Sequence, residues 1–100
     1  MVDKRDILSE LHSVILARAT ERPAGSYTAY LFQQGEDKIL KKIGEEASEL
    51  IIASKNGSRR EIAGEAADLV YHLLVLLAWY NMEPGDILAE LAARHDKKAQ

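Results

Sequence analysis

The fold is decided by residues 37–80, which read DKILKKIGEEASELIIASKNGSRREIAGEAADLVYHLLVLLAWY. Up to about residue 55 the apolar residues recur with the 3.6-residue period of a helix, and Asn56-Gly57 supplies a left-handed helix end. Ser58 with Glu61 three residues later has the pattern of a capping box, which predicts a second helix that runs to about Tyr80. Because the connection is so short, we expect the two long helices to be antiparallel neighbours.

Shorter helices are predicted on both sides of this pair. Residues 4–20 have apolar positions at helical spacing, residues 27–34 form a short helix that Gly35 ends, and Pro84 suits the first turn of a last helix. No strand pattern or repeat occurs. The apolar run from Leu69 to Ala78 is too extensive for one short chain to cover on every side, and Ile52 projects away from the main apolar stripe of its helix. We therefore expect one all-α domain over residues 1–100, an antiparallel helical bundle completed by homodimerisation.

Composition excludes several classes of protein. The 100-residue chain is 47% hydrophobic and 29% charged, which is typical of a globular domain. It has no cysteine, so disulfide frameworks, thiolate zinc sites and thiol nucleophiles are excluded. The amino terminus lacks the apolar run of a signal peptide, and the longest apolar stretch, 73–80, is too short to span a bilayer. We expect a cytoplasmic protein without a membrane partner, and the net charge of −3 argues against nucleic acid as a partner.

The first long helix carries a pair of candidate metal ligands. Glu46 and Glu49 lie on one flank of the apolar stripe, and side chains three residues apart on a helix can converge on one cation. Glu45 lies one step further out. Lys38 and Lys42 lie on the same flank, so they are placed to hold the oxygens of a phosphate group.

The second long helix carries a matching pair, Glu65 and Asp68, on a segment that is apolar almost all round. Such a helix is buried on most sides. An unpaired carboxylate in a partly desolvated crevice costs on the order of several kcal/mol of folding free energy. No lysine or arginine occurs between Arg60 and Arg94, so the helix cannot neutralise the pair itself. A hard divalent cation is the simplest counter-charge.

Each of these features also has a structural interpretation. A single Glu-x-x-Glu is usually a solvated helix face, and Lys41–Glu45 and Lys42–Glu46 are spaced as ordinary ion pairs. His72 lies one turn after Asp68, where it can orient that carboxylate, contact a substrate or serve as a satisfied core histidine. Packing is the preferred interpretation for three aromatic residues: Tyr71, Trp79 and Tyr80.

Three blocks of sequence together resemble a known family. They are SYTAYLF at 26–32, DKILKKIGEEASELIIASKNG at 37–57 and EAADLVYHLLVLLA at 65–78. The blocks resemble the phosphoribosyl-ATP pyrophosphatases, which belong to the all-α nucleotide pyrophosphohydrolase superfamily typified by MazG. The resemblance covers roughly residues 5–95, and it departs from the family at Tyr30, where a basic residue is frequent.

The resemblance implies an activity and a set of site residues. The activity is Mg²⁺-dependent hydrolysis of phosphoribosyl-ATP to phosphoribosyl-AMP and pyrophosphate, the second step of histidine biosynthesis, by a homodimer of interlocked helical hairpins. Glu45 is implied as an additional acidic group that binds metal or activates water, so Glu45 and Glu46 are the candidate catalytic residues. The implied metal ligands are Glu46, Glu49, Glu65 and Asp68, and the implied phosphate-binding residues are Lys38, Lys41, Lys42 and Lys55.

Two alternative functions remain open at this stage. The first is a house-cleaning pyrophosphohydrolase of the same superfamily that acts on dUTP or damaged nucleoside triphosphates. The second is a non-catalytic helical bundle that binds metal or a protein partner. Both pairs here are purely carboxylate, unlike the Glu-x-x-His pairs of di-iron bundles, which favours hard cations over iron.

Overall fold

The computed structural model describes residues 3–97, and within that range the protein is built from helices without strands. A single 3₁₀ turn, Lys4–Asp6, precedes the first α-helix. The α-helices are α1 (Ile7–Glu21), α2 (Tyr27–Gln34), α3 (Glu36–Asn56), α4 (Arg59–Trp79) and α5 (Pro84–Asp96). The predicted all-α class is therefore confirmed.

The helix boundaries follow from local chemistry that the sequence displays. The Ser26 hydroxyl accepts a hydrogen bond from the backbone N–H of Ala29 at 3.1 Å and so caps α2. In the same way, Ser58 accepts from the N–H of Glu61 at 3.2 Å and caps α4. Gly57 ends α3 with a φ of 77°, a left-handed conformation that glycine adopts without steric cost. These caps leave only two residues between α3 and α4.

The α3–α4 hairpin forms the centre of the fold, and these two helices make the most extensive helix pair. The helices α1 and α2 cover one side of it, so that the core forms where all four meet. Four large side chains are essentially inaccessible to solvent: Ile15, Leu31, Ile39 and Val75. The hairpin therefore holds the middle of α3 against the first half of α4, where the candidate carboxylates lie.

A large apolar surface stays uncovered in the single chain. The helix α4 is long and apolar enough to cross a membrane, as are the core helices of many soluble proteins. Only 28% of its most apolar 18-residue window is buried within the chain. On α3, Ile51 and Ile52 are 63% and 60% exposed. An apolar groove of about 210 Å³ between α1, α4 and α5 is bordered by Val70 and Leu88, among others.

One aromatic residue does not pack as expected. Tyr71 and Trp79 contact the core, as predicted. Tyr80 is 55% exposed, so its interpretation as a packing residue is wrong. It is the C-cap of α4, where the chain leaves the helix and the core face ends, and its hydroxyl donates a hydrogen bond to a carboxylate oxygen of Glu36.

Candidate active site

Three carboxylates from the two long helices converge. Glu46 and Glu49 come from α3 and Glu65 comes from α4, and each offers an oxygen that lies within 4.8 Å of the other two. Glu46 is buried, Glu65 is half-buried and Glu49 is exposed. The helical spacing brings the first two together, and the tight α3–α4 turn brings the third beside them. We call these three residues the acidic cluster.

The acidic cluster is short of counter-charge within the described part of the chain. One oxygen of Glu46 and one of Glu65, Oε2 in each, are buried and have no hydrogen-bond partner among residues 3–97. Burial, followed by the proximity of Glu49, raises the pKa of both Glu46 and Glu65. Inward-facing carboxylate oxygens without partners are the donor set that a hard divalent cation prefers, so the residues fit Mg²⁺.

Asp68 lies at the border of the acidic cluster. It follows Glu65 by one helical turn, and its charge contributes to the raised pKa of Glu65. Its side chain is exposed, and it is not one of the three carboxylates whose oxygens lie within 4.8 Å of one another. The arrangement therefore places Asp68 near the cluster, on its solvent side, and its role as a metal ligand stays a prediction.

The four candidate phosphate-binding lysines differ in their surroundings and in their relation to the acidic cluster. The Nζ of Lys42 lies 3.4 Å from an oxygen of Glu45 and 3.6 Å from an oxygen of Glu46, at the border of the acidic cluster. Lys38 lies over the Tyr30 ring, with Nζ 5.9 Å from the ring centroid. Lys41 and Lys55 are exposed. Lys55 lies nine residues beyond Glu46, about 13 Å along the helix axis.

A buried histidine links α4 to the beginning of α2, and sequence reasoning missed this link. The Nδ1 of His72 lies 2.7 Å from the backbone oxygen of Asp68, and its Nε2 lies 2.9 Å from the hydroxyl of Tyr27. A carbonyl oxygen only accepts, so Nδ1 donates to Asp68, while Nε2 and the Tyr27 hydroxyl share the second hydrogen bond. The spacing of His72 from Asp68 was a visible signal, whereas no sequence signal marked Tyr27 as its partner.

Tyr27 also lies close to the charged part of the site. Burial is the main cause that raises the pKa of Tyr27. The positive charge of Lys42 lowers this pKa, and the negative charges of Glu46 and Glu45 raise it. Its ring stacks near that of Tyr71, with centroids 6.3 Å apart. The hydroxyl of Tyr71 in turn hydrogen-bonds to that of Thr28. The first turn of α2 is therefore fixed against α4 directly beside the acidic cluster.

Together the helical bundle and the acidic cluster define an all-α protein with a carboxylate site suited to a divalent cation. The chain belongs to the phosphoribosyl-ATP pyrophosphohydrolase family, whose model matches residues 8–95. This confirms the resemblance seen in the sequence. The match includes α2 and all the candidate site residues.

Individual relatives agree with the family assignment. The chain is 65% identical to a phosphoribosyl-ATP pyrophosphatase of Pelotomaculum thermopropionicum over 96 residues, which cover 96% of this chain and 98% of that protein. It is 53% identical to the phosphoribosyl-ATP pyrophosphatase of Geobacter sulfurreducens over 94% of this chain and 87% of that protein. It is also 54% identical to the histidine biosynthesis bifunctional protein HisIE of Bacillus subtilis, over 95% of this chain and 46% of that protein.

Proposed function

We infer that the protein hydrolyses phosphoribosyl-ATP to phosphoribosyl-AMP and pyrophosphate, the second step of histidine biosynthesis. The observation that carries this function is the 65% identity, over nearly the whole of both chains, to a phosphoribosyl-ATP pyrophosphatase. Family membership over residues 8–95 supports it. In the reaction a water oxygen bonds to phosphorus, the anhydride bond between the α- and β-phosphates breaks, and pyrophosphate leaves.

The acidic cluster is the proposed Mg²⁺ site, with Glu46, Glu49 and Glu65 as ligands and Asp68 as a fourth. Bound Mg²⁺ supplies polarisation of the phosphate group, activation of water and neutralisation of the leaving pyrophosphate. The proposal is supported by the buried, unpartnered oxygens of Glu46 and Glu65. The four carboxylates carry more negative charge than one nearby lysine can balance.

The remaining charged residues act on protons and phosphates. Glu45 lies outside the acidic cluster, and its side chain is 48% exposed. By family resemblance it is proposed to bind metal or to accept the proton from the attacking water. Lys42 lies within 3.4 Å of Glu45 and 3.6 Å of Glu46, and this position at the border of the acidic cluster supports its proposed role as a phosphate contact. Lys38, Lys41 and Lys55 are proposed as further phosphate contacts. A cytoplasmic location, and the absence of membrane and nucleic-acid partners, stay predictions.

Substrate profiling tests the proposed reaction. We expect Mg²⁺-dependent release of pyrophosphate from phosphoribosyl-ATP well above that from dUTP, dCTP or ATP. The control is the same assay in EDTA, where release should stop. Equal or better turnover of an ordinary triphosphate would instead favour a house-cleaning pyrophosphohydrolase, and no turnover of any nucleotide would favour a non-catalytic bundle.

Homodimerisation is a further part of the proposal. The exposed apolar surface described above includes Ile51, Ile52, Val70 and Leu88, and it extends over α3, α4 and α5. Large exposed apolar patches are characteristic of protein interfaces. Light scattering at micromolar concentration should report about twice the chain mass, and Ile52→Glu combined with Leu88→Glu should shift the protein towards monomer. The matched control is Glu90→Gln on the exposed part of α5, and a wild-type monomer with full activity would refute the proposal.

A further inference from the structure

A recess of about 530 Å³ lies at the beginning of α2, and none of the three carboxylates of the acidic cluster is among its lining residues. The loop between α1 and α2, residues 22–26, forms one side, and the first half of α2 forms the other through Tyr27, Tyr30 and Gln33. The volume falls within the range of about 300–1,000 Å³ that is typical of small-molecule sites. Its lining combines aromatic rings, a guanidinium group and a carboxamide.

Tyr27 connects this recess to the reacting end of the site. Its ring lines the recess, while its hydroxyl is held by the buried His72 at 2.9 Å. His72 is only 5% exposed and is itself fixed by the backbone of Asp68, so the position of the tyrosine ring is set by α4. A ligand in the recess would therefore contact a ring whose position is fixed by a hydrogen bond to α4.

The lining has the chemistry of a nucleoside subsite with an added phosphate. Tyr27 and Tyr30 stack on each other with ring centroids 6.3 Å apart, Tyr71 stacks against Tyr27, and Lys38 lies over the Tyr30 ring. The two rings are still 44% and 41% exposed, and this exposed part is the aromatic surface that a purine can contact. Arg22 adopts a φ of 49°, and its Nε donates to the carbonyl oxygen of Ala19 at 2.9 Å. That bond uses one of the five guanidinium donors and holds the cation at the recess.

We propose that the recess binds the adenine and the attached phosphoribosyl group of the substrate, with Tyr30 and Tyr27 against the base and Arg22 on the phosphoribosyl phosphate. This inference rests on the proposed function and adds the residues that determine specificity. An ordinary nucleoside triphosphate has no phosphoribosyl phosphate, so it forgoes the contact with Arg22. His72 acts as a positioning residue, because it reaches the substrate only through Tyr27.

Two substitutions test the subsite. Tyr30→Leu removes an exposed ring, and Arg22→Asn removes the charge while keeping a residue type that tolerates a left-handed backbone. Each should raise the KM for phosphoribosyl-ATP about 10-fold with less than about a 2-fold change in kcat, because stacking and phosphate contacts of this kind are binding contributions away from the reacting bond. The matched controls are Tyr80→Leu and Arg94→Asn, an exposed tyrosine and an exposed arginine outside the recess.

Product inhibition separates the recess from the acidic cluster. Both variants should weaken inhibition by phosphoribosyl-AMP about 10-fold and leave inhibition by pyrophosphate unchanged, since only the first product carries the base and the phosphoribosyl group. Tyr27→Phe keeps the ring but loses the bond to His72, and it should raise the KM less than Tyr30→Leu does. Equal weakening of both inhibitors, or kinetics indistinguishable from those of the controls, would overturn the proposed subsite. Failure of the proposed function would appear earlier, as an inactive wild-type enzyme.

Discussion

Glu46→Gln is the most informative perturbation of the acidic cluster. Glu46 is 7% exposed, and its Oε2 is buried without a partner among the described residues. Glutamine has nearly the same shape, so the change removes a charge without opening a cavity. Because the wild-type carboxylate is desolvated and close to Glu49, we expect the metal-free variant to melt at the same temperature as the wild type or higher.

The expected magnitudes follow from the partners of this side chain. The ion pair lost with Lys42 spans 3.6 Å at a partly exposed lysine that also reaches Glu45, so its loss costs at most about 1 kcal/mol. A ligand present at 100 times its Kd stabilises the folded state by about 2.7 kcal/mol, and for a domain of this size each kcal/mol shifts Tm by roughly 4–8 °C. Saturating Mg²⁺ should therefore raise the wild-type Tm by at least about 10 °C, and the variant should lose most of that rise.

Thermal melts and turnover are measured on the same samples. Each protein is melted in EDTA and in millimolar Mg²⁺, and pyrophosphate release from phosphoribosyl-ATP is followed at the second condition. We expect turnover of Glu46→Gln to fall at least about 10²-fold, equivalent to ~2.7 kcal/mol of barrier. Glu90→Gln, which removes an exposed glutamate of α5, is the control. A variant with near-normal turnover and the full Mg²⁺-induced rise in Tm would refute the assignment of the acidic cluster as a metal site.

Two further predictions concern charge at the same site. Asp68→Asn should keep or raise the Tm in EDTA but lose much of the Mg²⁺-induced rise in Tm. The reason is that the exposed Asp68 side chain borders the acidic cluster, whereas His72 is bonded only to the backbone oxygen of Asp68. Strong destabilisation of the variant in EDTA would instead make Asp68 a structural residue. Burial raises the folded-state pKa values of Glu46 and Glu65 above the ordinary 4.5, so above that pH the folded protein binds more protons than the unfolded chain does. The contribution of these two groups to the free energy of unfolding therefore falls as the pH rises through their folded-state pKa values. The wild type in EDTA should accordingly lose Tm relative to Glu46→Gln as the pH rises above 4.5, and a difference in Tm that is independent of pH would contradict this sign.

Much of the fold could be predicted because its signals are local. Ser26, Ser58 and Gly57 mark helix ends through bonds or backbone angles that involve only near neighbours in the chain. The predicted limits of the helices accordingly agree with the structure to within one to three residues. The prediction that Tyr80 packs in the core was wrong because the sequence does not show at which residue a helix leaves the core.

The candidate site was only partly predictable. Helical spacing alone places Glu46 beside Glu49, and the short loop alone predicts that α4 brings its own acidic residues to them. Which of those residues faces the others depends on the rotation of α4 about its axis. That rotation is set by core packing, and it brings Glu65 inward while leaving Asp68 exposed.

The sequence by itself therefore determined the helices, the hairpin and the two pairs of carboxylates that the hairpin brings near each other, because each depends on a helical period or a turn. Only the tertiary structure decided that Tyr27 bonds to His72, 45 residues away, and that a recess opens at the beginning of α2. Contacts at such separations arise when α2 packs across the α3–α4 hairpin. No local sequence pattern at Tyr27 or at His72 predicts the other residue as its partner, so this contact depends on core packing alone.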